Sequence, residues 1–142
     1  MENSLALELN IGIKATKATV WKALTDPEQI KKYLFGTETV SDWKVGSPIT
    51  FSGVWEGKPY MDKGMILQIE KEKVLKYSYW SSFSGTEDKP ENYANIIYAL
   101  EEKNGETIFS ILQDGIKTEE ARSHSEQNWK MVMNNLKELL EK

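Results

Sequence analysis

Few residues in this 142-residue chain have side chains suited to catalysis. The single histidine, His124, stands between Ser123 and Ser125. A serine–histidine nucleophile needs hydroxyl and imidazole to meet in space and a third group to orient the ring. Adjacent residues on a helix point in different directions, so these neighbours do not build that unit, and His124 reads as a solvated or capping residue. Glu101–Glu102 and Glu119–Glu120 have the look of paired carboxylates. Neighbours on a strand face opposite sides, which separates the first pair. The second pair falls where a helix begins and favours its dipole. There is no cysteine, which removes disulfides, thiolate metal sites and cysteine nucleophiles. One histidine excludes a His-rich metal centre. The glycine-rich phosphate loops GxGxxG and GxxxxGK[ST] are missing. No catalytic constellation is evident, and the sequence calls for no cofactor and no metal.

What remains is the aromatic supply: five tryptophans, six tyrosines and four phenylalanines. Rings fill cores, and each ring alone reads that way. Together, rings with a polar edge tend to stay near a wet boundary. A concave pocket lined by them and a methionine is the usual shape of an apolar-ligand site. Phe51, Trp55, Trp80, Tyr98, Phe109, Trp129 and Met133 are the expected lining residues, and the expected ligand is a small apolar or amphipathic molecule.

These residues must be positioned by a recognisable series of elements. Leu5, Leu7, Leu9, Ile11 and Ile13 alternate with polar residues and predict a half-buried strand. Val20, Trp21 and Leu24 then share a helical face after a start at Thr16 or Thr19. Asp26-Pro27-Glu28 reads as an N-cap, a first-turn proline and an acidic first turn, so a second short helix carries Ile30, Tyr33 and Leu34. Turns at Gly46-Ser47-Pro48, Gly57-Lys58-Pro59 and Glu72-Lys73 separate strands holding Ile49 to Trp55, about 60 to 70, and Val74 to Trp80. Residues 81–92 read as a loop. Asn104-Gly105 predicts a two-residue type I′ hairpin. It pairs Lys103 with Glu106, Leu100 with Phe109 and Tyr98 with Ile111, and turns Ile96, Tyr98, Leu100, Phe109 and Ile111 inward. From about Thr118, the residues Ala121, Ser125, Trp129, Val132, Met133, Leu136, Leu139 and Leu140 form one apolar stripe of a long helix. Glu126, Lys130, Asn134, Lys137, Glu138 and Glu141 cover its other side. Runs of adjacent strands imply an antiparallel sheet and an α+β class, in a single domain spanning 1–142.

Composition narrows the function classes. The net charge is −4, and Arg122 is the only arginine among eighteen basic residues. Nucleic-acid binders carry a basic face and arginine forks, so nucleic acid is not an expected partner. No apolar run is long enough for a membrane span. The start MENSLALELN lacks a basic and then apolar leader, so a cytoplasmic protein is expected, as monomer or homodimer.

The segment Ala18-Thr19-Val20-Trp21-Lys22-Ala23-Leu24-Thr25-Asp26-Pro27-Glu28 resembles a first-helix signature of the START-like superfamily, also called SRPBCC or Bet v-like. The branch it resembles is that of the activator of heat-shock protein 90 ATPase. Gly64 to Trp80, Asn104-Gly105-Glu106-Thr107, and Trp129 with Met133, Leu136 and Leu140 are similar to later elements of that branch. The resemblance covers essentially the whole chain. It implies a helix-grip fold: a curved antiparallel sheet of about seven strands around a long C-terminal helix, with two short helices after the first strand. It also implies a cavity, since superfamily members hold lipids, sterols or polyketides there. Three functions follow as expectations. The first is a small-molecule binding module with its ligand between sheet and C-terminal helix. The second is a protein-interaction module of the chaperone-activator type, with a chaperone as partner. The third is a cyclase- or aromatase-like enzyme, which would need Tyr98 or Tyr79 to have its pKa depressed by a nearby cation.

Overall fold

The computed structural model describes residues 5–81 and 87–141, without the side chain of Trp55. Strand β1 (Leu5–Ile13) opens the chain, and its alternation puts Leu7 and Ile13 in the core. Helix α1 (Lys17–Thr25) is capped by Thr16, whose hydroxyl accepts from the Thr19 amide at 3.1 Å. Asp26 ends α1 and caps α2 (Pro27–Tyr33) by accepting from the Glu28 amide. One residue thus terminates one helix and starts the next, and Pro27 occupies a position that needs no N–H. Strands β2 (Glu38–Ser41), β3 (Pro48–Trp55), β4 (Lys58–Glu70), β5 (Val74–Tyr79), β6 (Ala94–Lys103) and β7 (Glu106–Ile116) follow, with a 3₁₀ turn at Pro90–Asn92 before β6. The chain closes with helix α3 (Glu119–Leu140).

All seven strands join one antiparallel sheet in the order β1-β7-β6-β5-β4-β3-β2. Helices α1 and α2 link its two edge strands. The β6–β7 hairpin has the predicted register, and Asn104 and Gly105 take φ of 53° and 81°, both in the left-handed region. Ile96, Leu100, Phe109 and Ile111 are buried, so the expected inner face is the core face.

The structure departs from the expectations in two places. β2 was not foreseen, because four residues, Glu-Thr-Val-Ser, carry too little pattern to register. The β3–β4 turn sits at Glu56 and Gly57, with φ of 50° and 80°, while Lys58 and Pro59 already pair with Trp55 and Val54. Residues 82–86 of the expected loop lie outside the described residues. Gly64 is required by a close approach: a Cβ there would stand 1.6 Å from the Ser78 carbonyl oxygen, where β4 runs against β5.

Helix α3 is capped by Thr118, which accepts from the Ala121 amide. It runs along β1 and is fastened at both ends. Arg122 Nε donates to the Ala6 carbonyl at 2.8 Å, and Lys137 Nζ donates to the Gly12 carbonyl at 2.8 Å. Glu141 Oε2 accepts from the Lys14 amide at 2.8 Å. Lys137 and Glu141, expected on the solvated side, therefore fold back over the strand. Val132, Met133 and Leu136 are buried, whereas Ala121 at the N-terminal end of the stripe is exposed. A curved sheet closed by this helix is the helix-grip fold.

Candidate functional site

Between sheet and helices the inner face carries a connected line of rings. Phe51 on β3 meets Tyr77 and Tyr79 on β5, at centroid distances of 5.8 and 6.0 Å. Tyr77 meets Tyr98 on β6 edge to face at 5.5 Å. Tyr98 in turn touches Phe109 at 5.4 Å and Trp129 of α3 at 6.0 Å, again edge to face. These are the arrangements that ring quadrupoles favour. The polar edges are satisfied within the chain. The Tyr77 and Tyr98 hydroxyls share a hydrogen bond of 2.8 Å, Tyr79 donates to Asp62 Oδ2 at 2.7 Å, and Trp129 Nε1 donates to Gln113 Oε1 at 2.7 Å. Tyr33 donates to the Ala23 carbonyl at 3.0 Å, which ties α2 to α1.

Burial holds the Tyr33, Tyr77 and Tyr79 hydroxyls well above the ordinary tyrosine range, and pushes Tyr98 up to about 12. The carboxylate of Asp62 raises Tyr79 further. The field around Tyr79 is thus that of an anion rather than a cation. The depressed phenol that cyclase-like proton transfer requires is present at neither Tyr79 nor Tyr98. Both stay protonated, Tyr79 as the donor to Asp62 and Tyr98 within the hydrogen bond it shares with Tyr77.

The rings leave little room. The space bounded by Leu24, Tyr33, Trp43, Phe51, Tyr77 and Tyr98 holds about 10 Å³, the scale of one water molecule. A larger depression of about 380 Å³ lies at the surface, lined by Trp21, Thr25, Trp43, Ile69 and Lys71. Trp43 borders both. Its φ of 57° is a conformation bulky residues rarely adopt, costing about 1 to 3 kcal/mol. Its amide donates to Ser41 Oγ at 3.0 Å, which holds the turn.

Of the expected lining residues, the structure brings together Phe51, Tyr98, Phe109 and Trp129 through ring contacts, and places Met133 in the same core. Trp129 is half-buried rather than enclosed. Trp80 does not join them. Tyr77 and Tyr79 point inward, so the next residue in phase points out. There Trp80 pairs with Lys63 across the strands, with the ammonium 5.9 Å from its ring. Trp55, the remaining lining candidate, has its side chain outside the described residues. Tyr33, Trp43, Tyr77 and Tyr79 were missed, although inward alternation of Leu75, Tyr77 and Tyr79 was a signal for two of them. His124 is exposed, and Glu119 pairs with Arg122 at 3.0 Å in the first turn of α3. Among the described residues no group of three or more His, Cys, Asp or Glu is placed to hold a metal ion, and no helix is long and apolar enough to cross a membrane.

A family model described as "Activator of Hsp90 ATPase homolog 1-like protein" matches residues 14–141. The chain belongs to this family. Protein ChR145 from Cytophaga hutchinsonii has a solved structure similar to this chain at 42% identity and a TM-score of 0.85, over 99% of this chain and 97% of that one. The Aha1 dimer from Colwellia psychrerythraea matches with a TM-score of 0.76 at 20% identity, over 96% of each chain. Ara h 8.0201 matches with a TM-score of 0.78 at 12% identity, over 97% of this chain and 98% of that one, which shows the shared fold. No curated protein sequence matches the chain.

Proposed function

We propose that this member of the activator family is a protein-interaction module whose contact surface is the outer face of β2, β3 and β4. The observation that carries this reading is where the exposed apolar side chains lie. Val40 and Val54 are each 67% exposed, Met61 is 53% and Met65 is 47%. Register puts them on one face: Val40 lies opposite Thr50, Thr50 opposite Lys63, Ser52 opposite Met61, Val54 opposite Pro59, and Pro48 opposite Met65. Four exposed apolar side chains on one sheet face, set among Thr50, Ser52 and Lys63, offer a partner a mixed contact surface. The space between α1, α2 and the sheet argues the same way, because its volume of about 10 Å³ does not admit a ligand of the expected class.

The partner this reading takes from the family is an Hsp90-type chaperone. Its test is steady-state ATP hydrolysis by such a chaperone titrated with the protein. The wild type should raise the rate saturably. A Val54→Glu/Met65→Glu double variant should bind and stimulate poorly while keeping its circular dichroism and melting temperature, since exposed substitutions cost little stability. A folded wild type that neither binds nor stimulates refutes the reading. The dimeric state of the Colwellia protein favours a second occupant for the same face, another copy of the chain. Sedimentation equilibrium separates the two, because the double variant would then be a monomer where the wild type is a dimer.

A further inference from the structure

We propose that the small space between α1, α2 and the inner face of the sheet is a binding site for a single water molecule, held by the phenols of Tyr33, Tyr77 and Tyr98. It lies on the other side of the sheet from the β2–β4 contact surface, and neither site needs the other.

The Tyr77 and Tyr98 hydroxyls carry two O–H protons but share one hydrogen bond of 2.8 Å. Each oxygen has a partner, yet whichever hydroxyl donates, the other keeps a proton. Neither residue makes a further hydrogen bond among the described residues. Tyr77 is 2% exposed and Tyr98 is half-buried. A buried O–H without an acceptor is costly, so the spare proton calls for an acceptor that the chain does not supply. Tyr33 provides the complement. Its hydroxyl donates to the Ala23 carbonyl at 3.0 Å, which commits its proton and leaves the lone pairs of its oxygen to accept. All three tyrosines border the same space. Beyond burial, the main cause, Tyr98 raises the pKa of Tyr33 and Tyr33 raises that of Tyr77, so the three phenols lie within one another's field.

Size selects the occupant. A volume of about 10 Å³ is near the least that admits a water molecule, and far below what an organic ligand needs. Leu24, Ile49 and Leu75, each no more than 2% exposed, give much of the remaining wall and offer no polar side-chain atom. A water that accepts the spare proton and donates to the Tyr33 oxygen has two partners, the least a buried water normally has. Bound there, it joins the tyrosines of β5 and β6 to α2 through hydrogen bonds.

A high-resolution crystal structure of the wild type should show an ordered water within about 3 Å of the Tyr33 oxygen and of one oxygen of the Tyr77–Tyr98 pair. In solution, 17O relaxation dispersion of the solvent reads how many waters the protein holds for longer than it tumbles. A Tyr77→Phe/Tyr98→Phe variant should hold one fewer than the wild type. Tyr79→Phe, which removes a hydroxyl bonded to Asp62 instead, should leave the number unchanged. Circular dichroism checks that both variants fold. A wild-type crystal structure in which this space is empty, or is filled by side-chain atoms or by an organic molecule, overturns the site, and it does so whether or not the double variant folds. An unchanged number of long-lived waters in a folded double variant overturns it as well. None of these outcomes depends on whether a chaperone binds.

Discussion

The tyrosine hydroxyls make the interior polar at a few chosen points, and each such point has a cost under alkali. Tyr33, Tyr77, Tyr79 and Tyr98 all have folded pKa values above their unfolded value near 10. Below pH about 10 both states keep these protons and the stability is fully present. Above it the unfolded chain loses protons first, so stability falls as pH rises toward the folded values. Urea midpoints measured from pH 8 to 12 should drop steeply beyond pH 10. A Tyr77→Phe/Tyr98→Phe variant should show a shallower drop, because two of the four groups no longer titrate. An equal slope in both proteins refutes the assignment. At this scale the sequence was half legible. Phe51, Tyr98, Phe109 and Met133 could be placed because turn register and helical stripe fix their direction. Trp80 could not, because choosing between Tyr79 and Trp80 means knowing the phase of a strand that ends there. Nothing local announces that Trp43 turns left-handed.

Elements were more legible than single side chains, and the reason is that their punctuation is local chemistry. Asn104-Gly105 fixes a hairpin register by itself, and Asp26-Pro27 joins two helices through one carboxylate. β2 escaped because its sheet membership is decided by β3, whose residues Ser52 to Ile49 pair with Glu38 to Ser41. Gly64 belongs to the same class of long-range facts. It reads as an ordinary glycine in a strand until the Ser78 carbonyl is known to stand where its Cβ would be. Gly64→Ala pushes a methyl into backbone on the neighbouring strand, with no flexible side chain to yield. It should cost about 3 kcal/mol or more in urea unfolding and loosen the β4–β5 pairing. Hydrogen exchange should show the loss first at the Lys63 and Trp80 amides, which hold that end of the pair together. A loss below about 1 kcal/mol means that β4 moves away freely, and the close approach is then no constraint.

At the scale of the whole molecule the question is what a helix-grip fold does when large rings crowd its inner face. Element order announces the architecture, but whether a cavity is open depends on the summed volume of side chains from six strands and three helices, which no local pattern carries. Here Tyr98 is the hub, touching Tyr77, Phe109 and Trp129, and Met133 and Leu136 press from the helix side. Phe109 is 1% exposed and packs edge to face against that hub. Phe109→Ala should therefore cost about 3 to 5 kcal/mol and leave a hollow of roughly 100 Å³. The hollow would be lined mainly by apolar groups and stay dry enough to take benzene. Benzene added to the variant should raise its melting temperature through binding to the folded state alone, and should shift the Met133 methyl resonance. The wild type should show neither effect, since the Phe109 ring itself, 1% exposed, occupies that place. If the wild type binds benzene beneath α3 as well as the variant does, the interior opens in solution. The space between sheet and long helix would then return as the place where this protein holds a ligand.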